Sequence, residues 1–152
     1  PHAQASGNIH QTLKDLAGKY EYVIADTAGR DSRELRTGMT VADILISPAR
    51  PSQYDLDTLP HLAEVYSQAK DLNPKLNGYL ILNLCPTNPV IKEVAAAKEF
   101  LVDYPEFKLA NTLVYDRKAY RDAISEGKSV LEWTDAKAKH EIEALVGEII
   151  NG

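Results

Sequence analysis

Tyr22-Val23-Ile24-Ala25-Asp26-Thr27-Ala28-Gly29 is the stretch on which the fold turns. Four consecutive apolar or aromatic residues read as a strand buried on both faces, the pattern of a parallel sheet. The run delivers an aspartate at its carboxyl end, followed by a small-residue turn closing on glycine. Ligands of open α/β sheets sit just outside the carboxyl ends of the strands, so Asp26 would stand where a magnesium–phosphate group is met. Gly29 has no Cβ and lets a backbone N–H approach a phosphate oxygen. The plain alternative for Asp26 is a turn opener or a cap of the next helix.

Working outward, Ser6 followed by Ile9, Leu13, Leu16 and Ala17 predicts an amphipathic helix ending near Gly18. Beyond Asp26, Arg30 to Thr40 is polar and charged and reads as a mobile loop merging into a short helix. Ile44-Leu45-Ile46 predicts a second buried strand, stopped by Pro48. Leu56, Leu59, Leu62, Ala63, Tyr66 and Ala69 recur at helical spacing, and Pro60 fits only in the first turn, so this helix starts near Asp57. Tyr79-Leu80-Ile81-Leu82 predicts a strand ending on Asn83, followed by a loop carrying Pro86 and Pro89. Val94, Ala97, Phe100 and Leu101 mark a helix, and Leu113-Val114 a short strand closing at Tyr115. A helix with Tyr120, Ala123 and Ile124 stops at Gly127. Thr134 is read as the N-cap of a last helix with Ala138, Ile142, Leu145, Val146 and Ile149 on one face. This regular alternation, with at least four strands, predicts a parallel sheet covered on both sides.

The bulk numbers narrow the class. At 152 residues the chain is most simply one domain with a real core. No apolar run is long enough to cross a bilayer, so no membrane role is expected. The single cysteine, Cys85, excludes an internal disulfide and suits a cytoplasmic setting. His2, His10, His61 and His140 are scattered, without zinc-ligand spacing. A net charge of −5 argues against a dedicated nucleic-acid-binding domain acting as a free monomer.

Gly127-Lys128-Ser129 imitates the end of a phosphate-binding loop, but Asp122 stands where that motif needs a glycine, and the segment follows a helix. It is rejected as a phosphate cradle. Asp26 to Gly29 gains value from its place after an apolar strand: there an aspartate holds Mg²⁺, directly or through water, and the glycine N–H senses a γ-phosphate. Asn83 is placed either to bond a base edge or simply to end a strand. Tyr115-Asp116-Arg117 either flanks the same ligand or forms a plain turn.

Taken in order, these pieces resemble the carboxyl-terminal three-quarters of a ParA-family partition ATPase, the small plasmid-encoded type without an extra DNA-binding domain. The resemblance is carried by Tyr20 to Gly29, Ala42-Asp43-Ile44-Leu45-Ile46-Ser47-Pro48, and Pro51-Ser52-Gln53-Tyr54-Asp55-Leu56. Arg117-Lys118-Ala119-Tyr120 leading to Glu126-Gly127-Lys128-Ser129-Val130 completes it. It implies a doubly wound, mostly parallel sheet with helices on both faces, a P-loop NTPase-like fold of the deviant Walker A class.

Residues 1–152 are then a single ParA-like nucleotide-binding domain, amino-terminally incomplete, with the first strand and P-loop missing. The resemblance further implies ATP and Mg²⁺ as cofactors, with Asp26 as the switch aspartate near the metal and Gly29 as the γ-phosphate sensor. Asn83, Tyr115, Asp116 and Arg117 would lie near adenine. The intact protein is expected to be a bacterial, nucleoid-associated ATPase that forms a nucleotide-dependent homodimer. Its partners would be a centromere-binding adaptor of the ParB or ParG kind and non-specific DNA, with Arg117, Arg121, Lys137 and Lys139 as candidate DNA contacts or as a solvated face. The family's sheet order puts the P-loop strand between the Asp26 and Ile44 strands, so this chain alone is expected to hydrolyse no ATP. Two other readings stand beside it. One is a binding module without ATPase activity, and the other a scaffold relative in ATP-dependent cofactor biosynthesis.

Overall fold

The computed structural model describes residues 2–28, 31–88, 90 and 92–151. The elements follow in the order α1 (His10–Ala17), α2 (Arg33–Met39), β1 (Ile44–Ala49), α3 (Gln53–Leu56), α4 (Leu59–Leu72) and β2 (Asn77–Leu82). After these come α5 (Glu93–Leu101), β3 (Lys108–Leu109), α6 (Lys118–Ser125), a 3-10 turn at Val130–Glu132 and α7 (Ala136–Asn151). Strands and helices alternate, and the sheet order is β1-β2-β3. Tyr79 faces Lys108 and Leu80 faces Leu109 in a parallel pair. The Asn77 N–H donates to Asp43 and the Asn83 N–H to Ala49. Both bonds share one offset along the chain, so β1 and β2 also run the same way. The fold is α/β with a parallel sheet.

Two compact units divide the chain: Pro1–Leu45 with Pro60–Gly78, and Ile46–Leu59 with Tyr79–Gly152. In the first, α1 meets α2 at Gly38, where an added Cβ would come within 3.3 Å of Ile9 Cδ1. A glycine is what lets the two helices approach so closely. The Ile9 N–H donates to Thr37 Oγ1 (3.1 Å), and His10 Nδ1 lies 2.7 Å from Thr40 Oγ1. Ser32 caps α2 by accepting the Leu35 N–H. Asn73, past the end of α4, donates its side-chain amide to the carbonyls of Met39 and Ala42, pinning the approach to β1.

The second unit holds Tyr79 to Leu82 of β2, all four of them buried. Ala119, Val130 and Ala138 form a smaller core with Tyr120, Trp133 and Ile142, closing α6 and α7 on the 3-10 turn. Gly127, at φ +67°, ends the α6 segment as the sequence suggests. A reciprocal Ser129–Glu132 capping box follows it.

Several expectations are corrected. Residues 22–28 form no strand; Ile24 is 94% and Tyr22 62% exposed. A strand needs a neighbour for its N–H and C=O groups, and among the described residues no strand pairs with this run, so its backbone stays hydrated. β1 continues through Pro48 to Ala49. Proline is tolerated there because β1 is the outermost strand of the three, where one side of the ladder carries no bonds to lose. The expected strand at Leu113–Tyr115 is an isolated parallel bridge between Cys85 and Tyr115, and regular pairing occurs earlier, at Lys108–Leu109. The cap of α7 is Asp135 rather than Thr134, since its carboxylate accepts the N–H groups of Lys137 and Ala138. Gly29, Arg30 and Pro89 lie outside the described residues.

Candidate nucleotide-facing rim

Asn83 follows the last residue of β2, and the next two residues leave the sheet abruptly. Leu84 has φ +52°, the left-handed region that an L side chain rarely occupies, and such strain collects at functional sites. The Asn83 side-chain oxygen accepts the Leu84 N–H (2.9 Å), which leaves the amide NH₂ without a partner among the described residues. Cys85 then rejoins the neighbouring segment: its N–H donates to Val114 (3.0 Å), and its carbonyl accepts from Asp116 (2.9 Å).

This bridge brings Asn83 and Tyr115-Asp116-Arg117 together at the carboxyl edge of the sheet, the place where open α/β folds bind ligands. The Arg117 guanidinium stacks over the Tyr115 ring at 5.2 Å and pairs with Glu141. That carboxylate raises the already high arginine pKa, so Arg117 is charged at every working pH. Asp116 is half exposed and pairs with Arg121. Cys85 is fully buried, and burial pushes its thiol up to about 11.

Asp26 belongs to the first unit, exposed in the irregular 22–28 segment, with no ion pair among the described residues. Gly29 is not described. Of the four candidate DNA contacts, Arg117 is bonded to Glu141, Arg121 to Asp116, and Lys139 lies 3.9 Å from Glu143. Of the four, only the Lys137 side chain has no carboxylate partner among the described residues.

Sequence reasoning passed over two carboxylates of α7: Glu141, which bonds the rim, and Glu148, which grips the chain ahead of it. Glu141 is 8% exposed and Glu148 half-buried, one heptad apart on α7. Glu148 accepts the backbone N–H groups of Asn111 and Thr112 at 2.6 and 3.0 Å, where pairing with β2 is interrupted. The signal was present: Glu141 lies three residues after Ala138 and four before Leu145, within the apolar face of α7.

Among the described residues there is no cluster of three or more acidic, histidine or cysteine side chains able to hold a metal, and no helix long and apolar enough to cross a membrane.

The profile of the ATPase MipZ family matches residues 2–73. A ParA family protein of Mycoplasma pneumoniae is 28% identical over 76 residues, half of this chain and 28% of that protein. One from Mycoplasma genitalium is 29% identical over 76 residues, with the same coverage. The maintenance of carboxysome distribution protein A of Halothiobacillus neapolitanus is 27% identical over 143 residues, 92% of this chain and 65% of that protein. The chain thus spans less than two-thirds of the length of each of these relatives. The chain, an α/β fold with a parallel sheet, is thus similar in sequence to the ATPase MipZ family over residues 2–73 and to these ParA family and carboxysome-distribution proteins.

Proposed function

We propose that residues 1–152 form one nucleotide-binding domain of a ParA-type positioning ATPase, and that the rim at Asn83 and Tyr115–Arg117 takes the adenine of ATP. The observation that carries this reading is the Cys85–Tyr115 bridge, which joins the chain two residues past Asn83, whose amide NH₂ is unpaired among the described residues, to the segment bearing the Tyr115–Arg117 stack. An amide donor suits an acceptor nitrogen on a base edge, and the stack offers a flat face to the ring.

In this reading a magnesium ion would be held through water, with Asp26 as the carboxylate that meets it. Mg²⁺ keeps several waters of its own and asks the protein for one or two carboxylates, and Asp26 offers one that is exposed. The ion would neutralise charge on the β- and γ-phosphates. In this reading Gly29 senses the γ-phosphate, ATP drives homodimerisation, and the dimer binds non-specific DNA and a centromere-binding adaptor during DNA partition. Of the four candidate DNA contacts, Lys137 is the one whose side chain is not already paired with a carboxylate among the described residues. A second reading, favoured by the relative that matches 92% of the chain, keeps the ATPase and makes the cargo a protein body instead of DNA.

The test is Mg²⁺-dependent ATP binding and turnover by the full gene product. Asp26→Ala is expected to abolish turnover with the fold intact, and Asn83→Ala to weaken ATP binding about tenfold, one hydrogen bond's worth. Unchanged turnover in Asp26→Ala would make that aspartate structural. A reading frame without a Lys-Gly-Gly-x-Gly-Lys-Thr type segment ahead of Pro1 removes the ATPase reading altogether.

A further inference from the structure

Glu141 is the one charged side chain counted as buried among the described residues, and it lies in the apolar stripe of α7 beside Ala138. Burying a carboxylate is costly unless every lone pair is used. Here they are used, chiefly on the Tyr115–Arg117 segment, with Tyr120 of α6 as the remaining partner. Oε1 accepts from Arg117 Nε at 2.7 Å and pairs with the same guanidinium through Nη2. Oε2 accepts the Tyr120 hydroxyl at 3.1 Å and the backbone N–H of Tyr115 at 3.3 Å.

A helix that needed only to pack its apolar face would do so with a leucine at this position. What the carboxylate adds is direction. It fixes the Tyr115 backbone and turns the Arg117 fork over the Tyr115 ring, and Tyr115 is the residue bridged to Cys85, two residues from Asn83. Glu148 supplies a natural control. It sits on the same helix and grips backbone N–H groups in the same way, but at Asn111 and Thr112, ahead of the rim.

We propose that Glu141 is the positioning residue of this rim, holding Tyr115 and Arg117 in the geometry that receives the nucleotide base. The inference rests on the nucleotide reading of the rim given above. It gives α7 a part in ligand affinity through a residue that itself touches no ligand.

The experiment is ATP titration by calorimetry with Mg²⁺, paired with hydrogen exchange read by mass spectrometry, on the full gene product and its Glu141→Gln and Glu148→Gln variants. In the parent protein, ATP is expected to slow exchange at residues 83–85 and 113–117. Glu141→Gln should raise the Kd for ATP about tenfold, the loss of one charge-assisted hydrogen bond at the rim, and speed exchange at 113–117. Glu148→Gln should lower thermal stability and leave the Kd for ATP unchanged. A merely structural Glu141 would give the two variants the same profile, with parental ATP affinity in both, and that result overturns the proposal. If Glu141→Gln does not fold, Glu141→Asp keeps the charge but is too short to hold Arg117 and the Tyr115 N–H together. An unchanged Kd in that variant overturns the proposal equally. If ATP binds the parent without protecting 83–85 or 113–117, the reading of the rim falls, and the proposal falls with it.

Discussion

Tyr22-Val23-Ile24-Ala25 and Tyr79-Leu80-Ile81-Leu82 are nearly the same sentence written twice, and they meet opposite fates. The second is the middle strand of the sheet, with all four residues buried. The first is irregular, and its central isoleucine is 94% exposed. Composition therefore does not separate them. What separates them is partners: β2 has a strand on each side, and the Tyr22 run has none among the described residues. An apolar run states the capacity to be a strand; neighbours decide whether the capacity is used.

Hydrogen exchange gives this contrast its largest measurable size. Amides of Tyr79 to Leu82 are expected to exchange only through opening of the sheet, with protection on the order of 10³-fold or more. Amides of Tyr22 to Ala25 are expected to exchange within about tenfold of free-chain rates. Comparable protection in the two runs would show that the Tyr22 segment is paired in solution.

Truncation tests the same contrast in energy. Leu82 is fully buried, and Leu82→Ala should cost about 3 kcal/mol in urea unfolding, the transfer loss plus the cavity left behind. Ile24→Ala should change stability by less than about 0.5 kcal/mol, the usual figure for an exposed site. If Ile24→Ala costs more than about 1 kcal/mol, that side chain is covered and the comparison fails.

The same contrast explains what the sequence could and could not disclose. Helices were legible because their signals are local. Gly18, Gly127 and the placement of Pro60 depend only on residues within one or two turns, and the structure has all three where the pattern puts them. The Asn83 end of β2 was legible too, since a buried run closing on asparagine is a local feature. The Tyr22 strand was not, because pairing is a property of a segment's neighbours. Nor was the role of Glu141: its position in an apolar stripe could be read, but its partners stand 24 and 21 residues away, at Arg117 and Tyr120.

Unpaired backbone is not always left to water, and Glu148 shows the other solution. It caps the N–H groups of Asn111 and Thr112 where the ladder is interrupted, whereas no side chain among the described residues does this for residues 22–28. Burial pushes the Glu148 carboxyl up, but the Asn111 and Thr112 donors outweigh it, and the net pKa lies below its ordinary value of 4.5. A lowered native pKa means that the unfolded chain binds more protons in that range. The contribution is therefore complete above about pH 4.5 and is lost as pH falls through the native value. Stability of Glu148→Gln, followed by thermal unfolding from pH 7 to 3, is expected to fall less steeply on the acid side than that of the parent. Parallel acid limbs would show that the carboxylate is not what responds.

The smallest effect is chemical, and it sets one thiol from each environment side by side. Cys85 is fully buried, and its thiol is raised from 9.0 to about 11, chiefly by burial. The native state holds that proton more tightly than the unfolded chain does, so the associated stability is complete below about pH 9 and is lost as pH rises toward 11. At pH 8 only about one native thiol in a thousand is ionised, and access is closed as well. A disulfide reagent at pH 8 should therefore modify Cys85 only as the surrounding unit opens. Ile24→Cys in a Cys85→Ala background should react at about the rate of a free thiol, whose pKa near 8.5 leaves roughly a quarter ionised. Cys85→Ala itself keeps most of the packing and is expected to cost no more than about 1 kcal/mol. Rapid labelling of native Cys85 would mean that the Cys85–Tyr115 bridge opens readily, and a slow thiol at position 24 would mean that the Tyr22 run is sheltered after all.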